Sequence, residues 1–414
     1  MSAAFQFPVI MRALKCHRLL SVLLFTQVAV TCAVVTNVVF LIAGRVHLMN
    51  QPSGIDESHL AVIESERVMS PGASIAPAIR GDLEALRYIP GVTRVAVVDA
   101  LPFGHNDWIN GFTSDVVNQG DTRLPMEVEP SLINGSQDAL DVLGVRVVRG
   151  AQFAPQDFLP LEASSDNAGL QKVRVAIVTE AFAQRMFPGA DALGRPIYVD
   201  GHSPVRIIGI ADHVARPNLT VSDDNELIVF LPLVPDNAKA LYIMRVDGDA
   251  RSVIEPARHA LLRVTNQRIF HRMESFTDLR ADYFRRDAAM ISILLAIAVA
   301  LVFVNAVGIM GLASFWVHRR TRQTGVRRAL GATRLSVLTY FLQENLVVVG
   351  GGALLGVVLA LALNRILMAW FEVPHLSLSY LPVGWFAMIL IGQLAAFVPA
   401  LRASSVDPSA AIRG

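Results

Sequence analysis

The sequence is poor in charged residues and in cysteine. Only 17% of its 414 residues are charged, against about a quarter in an average soluble domain. This shortage argues against intrinsic disorder and against a nucleic-acid-binding surface, since both need many charged side chains. The two cysteines, Cys16 and Cys32, both precede residue 45. No disulfide can therefore form within the long segment 45–287, and the cysteine count does not indicate a redox compartment.

The motifs of common catalytic sites are also missing from the sequence. It has no Gly-Lys pair, and therefore no G-x-x-x-x-G-K-[ST] loop for binding nucleotide phosphates. It also lacks the H-E-x-x-H, C-x-x-C and G-x-S-x-G motifs of metal and nucleophile sites. Two loose polar clusters, at 105–107 and 202–213, are interpreted as solvated loops. We therefore expect a chain that is not an enzyme and binds no metal or cofactor itself.

The sequence is rich in long runs of uncharged, mostly apolar residues. Hydrophobic residues make up 53% of the chain, and its mean hydropathy is +0.46. A helix that spans a bilayer needs about 20 mostly apolar residues. The first run is longer than the apolar part of a signal peptide, so we interpret it as an uncleaved anchor. The sequence predicts transmembrane helices at 19–44, 288–317, 345–364 and 378–401.

The distribution of charge predicts the orientation of these helices. Residues 45–287 hold 24 Lys and Arg against 32 Asp and Glu. The N-terminal segment 1–18 has basic residues only, and the loop 318–344 carries six arginines against Glu344. Short basic loops stay in the cytoplasm. We therefore expect a cell-membrane protein with a cytoplasmic N-terminus (1–18), loop (318–344) and tail (402–414), and with residues 45–287 outside.

The acidic segment is large enough for one big domain or two small ones. Apolar β-branched runs predict strands, and amphipathic runs predict helices. The predicted strands are Val92–Val98, Val173–Val178, Val205–Ile210, Leu227–Leu231 and Leu241–Val246, and the predicted helices are Glu57–Met69, Thr179–Phe187 and Ser252–Thr265. The fold class is thus an α-helical membrane protein with four transmembrane helices and a mixed α/β insert, in two lobes, between helices 1 and 2.

Two further features concern the membrane helices. Gln27, Asn37 and Asn305 are uncharged polar residues inside the spans. They could line a substrate path, but such groups more often hydrogen-bond between helices, and we interpret them in that way. Gly352-x-x-x-Gly356 permits the close approach of a neighbouring helix. Glu344 is interpreted as the charged residue that closes the third span, so no ionisable residue is expected deep in the membrane, where an ion-coupled carrier needs one.

The basic loop 318–344 has an amphipathic pattern. Val326, Leu330 and Phe341 belong to its apolar face, while arginines spread over the polar side and Gly331 predicts a turn. From the residues alone, two alternatives stay open. The loop could lie on anionic lipid, or it could dock a cytoplasmic partner.

Two sets of motifs resemble a known family. The segment His318-Arg-Arg-Thr-Arg-Gln-Thr-Gly-Val-Arg-Arg-Ala-Leu-Gly-Ala332 and the tail Pro399-Ala-Leu-Arg-Ala-Ser-Ser-Val-Asp-Pro408 resemble the FtsX-like permease domain of ABC transporters, about 288–407 here. Ala139–Gly150 and Val175–Gly189 resemble the periplasmic core domain of MacB-type permeases, so 45–287 is identified with that domain. The order of helix, insert and three helices is also that of the family.

The resemblance implies partners for the chain. It implies a separate ATPase subunit, which uses ATP and Mg²⁺, and a second permease copy or paralogue in a dimer. A periplasmic adaptor and an outer-membrane channel are further partners it allows. It favours docking of the loop on the ATPase, through Arg322, Gly325, Val326, Arg327, Arg328, Ala329, Leu330, Gly331 and Ala332. Gln323-Thr324 departs from the family pattern, in which Glu and an apolar residue are common.

The function implied is that of an ABC-transporter permease subunit working by mechanotransmission. Motion driven by ATP would pass through the helices to the outer domain, which would extrude a peptide, drug, lipid or lipoprotein. The segment 274–287 is the expected lever: Phe276, Leu279 and Tyr283 share one face, and its helix is expected to run unbroken into Ala288. The alternative is a non-transporting scaffold that activates a cell-wall hydrolase or signals across the membrane.

Overall fold

The fold is described from a computed structural model. It describes residues 18–68, 75–104, 106–116, 125–161, 169–220, 224–319, 324–326, 331–371 and 375–405. The chain divides into two compact units. The outer unit is Leu48–Arg286, and the membrane unit combines Met1–His47 with Asp287–Gly414.

The helices and strands are numbered here in chain order. The helices are α1 (Arg18–Met49), α2 (Ala76–Arg87), α3 (Ala139–Leu143), α4 (Glu180–Met186), α5 (Ile254–Val264), α6 (Phe276–Tyr283), α7 (Arg285–Arg319), α8 (Arg334–Phe371) and α9 (Tyr380–Ser404). The strands are β1 (Leu60–Arg67), β2 (Val92–Val98), β3 (Trp108–Ile109), β4 (Phe112–Thr113), β5 (Glu127–Val128), β6 (Ser131–Asn134), β7 (Val147–Gly150), β8 (Leu159–Leu161), β9 (Val175–Thr179), β10 (Pro196–Val199), β11 (Ser203–Ala211), β12 (Ile228–Leu231), β13 (Leu233–Pro235), β14 (Lys239–Val246) and β15 (Arg268–Ser275).

The membrane unit is built from α1, α7, α8 and α9. Within the described residues these are the four helices long and apolar enough to cross a bilayer. All four contribute to one apolar core, which includes Val28, Ile309, Val349 and Met388. The mixed α/β outer unit lies between the first and second of these helices in the chain. The predicted four membrane helices and α/β insert are thus confirmed, and the division of the insert into two lobes stays a prediction.

Small and polar residues bring these helices together. A Cβ atom on Gly356 of α8 would lie 2.6 Å from the Cβ of Cys32 on α1, so only glycine allows this approach. Nearby, the Asn37 amide donates to the carbonyl of Ala360 at 3.1 Å, and the Gln27 amide donates to the carbonyl of Val304 at 3.3 Å. Both amides bond between helices, as the sequence indicated. The same prediction is wrong for Asn305, whose buried side-chain amide has no hydrogen-bond partner among the described residues.

The third membrane helix differs from its prediction. Helix α8 begins at Arg334 rather than near residue 345. Glu344 therefore lies inside the helix and not at its boundary, and its side chain is buried. The neighbouring Asn345 donates to the carbonyl of Gly392 on α9 at 3.0 Å. The charge does not end the helix because glutamate is a good helix former and this stretch packs against α9.

The outer unit contains two main sheets. One has four antiparallel strands in the order β15-β1-β14-β2, and α2 and α5 contribute to the core on it. The other is mixed, in the order β3-β6-β12-β9-β11-β10-β4-β5, with β7 paired to β11. A central core joins the two sheets: Val62 and Val98 from the first pack with Ile177 and Phe230 from the second.

One local prediction in the outer unit is wrong. Residues 60–67, predicted as part of a helix, form β1, because β14 and β15 pair along both of its edges and its first four residues are buried. Thr179 occupies the N-cap position of α4. Its hydroxyl does not cap the helix. It accepts the N–H of Ile228 at 3.2 Å instead and donates to the carbonyl of Glu226 at 2.6 Å.

Candidate functional site: the Arg280 junction

The predicted coupling residues lie partly outside the described residues. Five of the nine lie outside the described residues: Arg322, Arg327, Arg328, Ala329 and Leu330. Gly325 and Val326 lie in a short helical segment in which Gly325 is buried and Val326 is 46% exposed.

Gly331 and Ala332 lie just before α8, which begins at Arg334. Gly331 has a φ of +96°, a conformation that glycine adopts at little cost. It therefore provides a turn, and the side chain of Thr333 accepts the Ser336 N–H at 3.2 Å to start the helix. The docking role of all nine residues stays a prediction.

The three residues predicted for the lever helix lie together on α6. Phe276 and Leu279 are buried in the central core. Tyr283 packs at its edge, and its hydroxyl accepts the N–H of Leu219 at 2.8 Å. One face of α6 is thus held by both sheets of the outer unit.

Arg280 connects α6 to the last residue of α1 and to the segment that follows it. Its Nη2 donates to the carbonyls of Met49 at 2.9 Å and Gln51 at 2.7 Å. Its Nη1 forms an ion pair with Glu57, which also accepts the Ser53 hydroxyl at 2.6 Å. The guanidinium group has several donors in a fixed plane, so one side chain can hold all three acceptors.

An aromatic cluster also packs against the Arg280 guanidinium group. The Arg280 guanidinium carbon lies 4.9 Å from the ring centre of Phe103, a favourable cation–π distance. Phe103 also packs against Phe276, Tyr283 and Phe284, with ring centres 6.2, 5.6 and 5.4 Å away. Its φ is +60°, an uncommon conformation for a bulky residue that persists where packing holds it. We call Arg280, Glu57, Phe103 and the carbonyls of Met49 and Gln51 the Arg280 junction.

The start of α6 carries a cap and a second, exposed ion pair. Ser275 caps the helix by accepting the N–H of Asp278 at 3.2 Å. Arg251 binds the Asp278 carboxylate through two nitrogens, at 2.8 and 2.5 Å. The bidentate Arg251 contact, helped by the Ser275 hydroxyl, lowers the pKa of Asp278 to about 2. This carboxylate therefore stays ionised at physiological pH.

The expected continuous lever helix is interrupted. Helix α6 ends at Tyr283 and α7 begins at Arg285. Phe284 lies between them with φ −88° and ψ 2°, and its side chain is buried in the central core. The break therefore places an aromatic anchor at the last residue before α7.

The polar cluster noted at 202–213 forms bonds within the protein, and His105 of the cluster at 105–107 lies outside the described residues. His213 bonds the carbonyl of Pro52 at 2.6 Å and pairs with Glu226 at 3.1 Å. His202 bonds the carbonyl of Asp200 at 2.7 Å, and Asp212 pairs with Arg146. In the described part of the chain, no three His, Cys, Asp or Glu side chains are grouped to hold a metal ion.

Sequence reasoning missed the junction itself. Arg280 is one of several basic residues before α7, and its carbonyl acceptors lie 229 and 231 residues earlier in the chain. No local pattern marks such a pair. The only available signal was indirect, namely that segment 274–287 had to connect the insert to a membrane helix.

Comparison with protein-family models gives two matches in chain order. Residues 23–264 match the MacB-like periplasmic core domain, and residues 292–408 match the FtsX-like permease C-terminal domain.

Individual relatives extend these matches over the whole chain. The macrolide export ATP-binding/permease protein MacB of Acinetobacter baylyi is 26% identical over 100% of this chain and 59% of its own length. The chain thus spans 59% of that relative. An uncharacterized ABC transporter permease of Bacillus subtilis, YknZ, is 24% identical over 96% of both chains. Among solved structures, the periplasmic region of MacB from Actinobacillus actinomycetemcomitans covers 54% of this chain and 92% of its own, with 13% identity and a TM-score of 0.32.

Proposed function

The chain belongs to the ABC-transporter permeases that combine a MacB-like periplasmic core domain with an FtsX-like permease domain, and we propose that it works by mechanotransmission. The resemblance found in the sequence is thereby confirmed. A multi-pass inner-membrane protein with an extracytoplasmic segment follows from the four apolar helices and the periplasmic-type domain. In our proposal, ATP hydrolysis by a partner moves the membrane helices, and this motion drives the outer unit.

The Arg280 junction is the observation that supports this proposal. The chain enters the outer unit after α1 and leaves it through α6 before α7. These two connections are the covalent routes by which motion of the helices reaches the outer unit. Arg280 joins them through two backbone carbonyls and one carboxylate. A displacement of either helix would then reach both connections together.

The proposed partners follow from the family. A separate ATPase subunit would bind ATP and Mg²⁺ and contact the loop 318–344, including Val326. A second permease copy or paralogue would complete a dimer. A periplasmic adaptor and an outer-membrane channel would carry cargo onward in a cell with two membranes.

The cargo is proposed to act on the outer unit rather than to pass between the helices. Glu344, a charged residue inside α8, is buried and takes part in an interaction within the protein. The polar amides Gln27 and Asn37 are likewise used in helix contacts. A hydrophilic path through the membrane unit therefore has few groups to line it. A peptide, drug, lipid or lipoprotein reaching the outer unit from outside fits this arrangement.

Export assays in cells test the proposal. In a strain lacking the chain, we expect the wild-type chain and its ATPase to restore ATP-dependent release of one labelled cargo from a panel of peptides, macrolides and lipoproteins. An ATPase that binds but cannot hydrolyse ATP should not restore release. If no cargo is released while cell-wall hydrolase activity is restored, the non-transporting scaffold becomes the better description.

The proposed orientation is tested separately with topology reporters. A reporter fused after Arg413 should be active only in its cytoplasmic form, because short basic segments stay inside. A reporter inserted within 156–170 should be active only in its extracytoplasmic form. The opposite result at either position contradicts the arrangement with both termini inside.

A further inference from the structure

A cleft in the membrane unit suggests a binding site that the transport proposal does not use. It has a volume of about 590 Å³ and lies between the first turns of α8 and the last turn of α9. Arg334 and Arg402 contribute the charged part of its lining. Leu335, Leu338 and Leu401 contribute the apolar part.

The two arginines are available to a ligand. Both are exposed, and neither has a carboxylate partner among the residues that the structure describes. The other polar groups in the lining are already engaged: the hydroxyls of Ser404 and Ser405 donate to the carbonyls of Leu401 and Arg402 at 2.8 and 2.9 Å. The cleft therefore presents two guanidinium groups and no described acidic side chain, so its charge complements an anion.

The apolar lining identifies the kind of anion. Leu335 is 67% exposed and Leu401 is 42% exposed. Both lie near the ends of helices that are apolar enough to cross a bilayer. A guanidinium pair binds a phosphate through charge-assisted hydrogen bonds. Leucines beside it suit acyl chains and offer nothing to a free phosphate ion.

We propose that Arg334 and Arg402 bind the phosphate of an anionic phospholipid whose acyl chains lie along Leu335, Leu338 and Leu401. The site lies on the membrane helices themselves, which favours lipid over the ATPase subunit as the occupant. Arg334 was assigned by sequence to the coupling loop 318–344, and its position in the first turn of α8 places it on the cleft instead. Lipid bound here joins the start of α8 to the end of α9.

Lipid binding to the purified full chain tests this site. Native mass spectrometry would compare the affinity for phosphatidylglycerol with that for phosphatidylcholine carrying the same acyl chains. We expect the wild-type chain to prefer phosphatidylglycerol. The double variant Arg334→Gln/Arg402→Gln should lose that preference, by about fivefold for each guanidinium, the usual contribution of a basic residue near an anionic surface. The single variants should each lose part of it, and they provide the test if the double variant does not elute as a folded protein.

The matched control removes the same charge elsewhere. Arg319→Gln/Arg365→Gln changes one arginine that packs on Phe315 and another near the opposite end of α8. This control should keep the preference for phosphatidylglycerol. An equal loss in both double variants, or no loss in either, overturns the proposal. It is also overturned if inorganic phosphate displaces the lipid, or if the cleft variant loses ATPase co-purification while its lipid preference is unchanged.

Discussion

Replacing Arg280 by glutamine is expected to stop cargo export while ATP hydrolysis continues. The variant loses the ion pair with Glu57 and the two carbonyl contacts, one to the last residue of α1 and one to the segment after it. Hydrogen bonds to charged groups each contribute about 1.5 to 3 kcal/mol, and 1.4 kcal/mol corresponds to a factor of ten in an equilibrium. We therefore expect export by the reconstituted complex to fall at least about tenfold, with ATPase activity close to that of the wild type.

Replacing Arg280 by lysine is expected to give an intermediate export rate. Arg280→Lys keeps the positive charge, but an ammonium group cannot match the planar geometry that reaches three acceptors and packs on Phe103. Its export rate should lie between those of the wild type and Arg280→Gln. A merely electrostatic role for Arg280 would leave the lysine variant fully active.

Arg251→Gln is the matched control for the junction. It removes an exposed ion pair with Asp278 on the same helix α6, and among the described residues Arg251 forms no hydrogen bond or ion pair with residues 49–57. Its export should stay near the wild-type rate. Limited proteolysis of all three variants checks that the outer unit remains folded. Unchanged export in a folded Arg280→Gln variant would show that the junction does not relay motion.

Replacing Val326 by aspartate is expected to detach the ATPase subunit from the permease. Val326 is 46% exposed in the short helical segment before Gly331, so the membrane unit itself should tolerate the change. If the ATPase covers this side chain, an aspartate there must be buried without a partner, and such burial is strongly unfavourable. Co-purification of the ATPase from membranes should fall at least about tenfold, and export should fall with it.

Val264→Asp provides the control for this second prediction. Val264 has a similar exposure, 42%, but it lies at the end of α5 in the outer unit. The same substitution there should leave ATPase co-purification intact. Undiminished co-purification of Val326→Asp, with intact export, would favour the alternative in which the loop lies on anionic lipid.

The amino-acid sequence by itself determined the main divisions of the chain. Four uncharged runs predicted four membrane helices, because a bilayer requires about 20 apolar residues whatever surrounds them. The β-branched run Val92–Val98 predicted β2 with its observed bounds. The motifs at 139–150, 175–189 and 318–332 identified the family. Each of these signals is local, so a short stretch of sequence carries all of it.

Tertiary contacts decided the features that local sequence did not predict. Residues 60–67 became a strand because β14 and β15 pair on both of their edges, and neither partner is near in sequence. Glu344 became a buried helical residue because α8 continues past the apolar run and packs on α9. In both cases, propensity was outweighed by packing.

The Arg280 junction shows this dependence most clearly. Helical periodicity in the sequence was enough to predict that Phe276, Leu279 and Tyr283 share a face, and all three lie on α6. Arg280 could not be chosen, because its acceptors include backbone carbonyls 229 and 231 residues away, which carry no residue-specific signal. Only the folded outer unit brings the segment after α1 beside α6. The sequence therefore determined which segments connect the two units. Tertiary structure decided that one guanidinium group binds both of these segments, because a hydrogen bond depends on distance in space and not on separation along the chain.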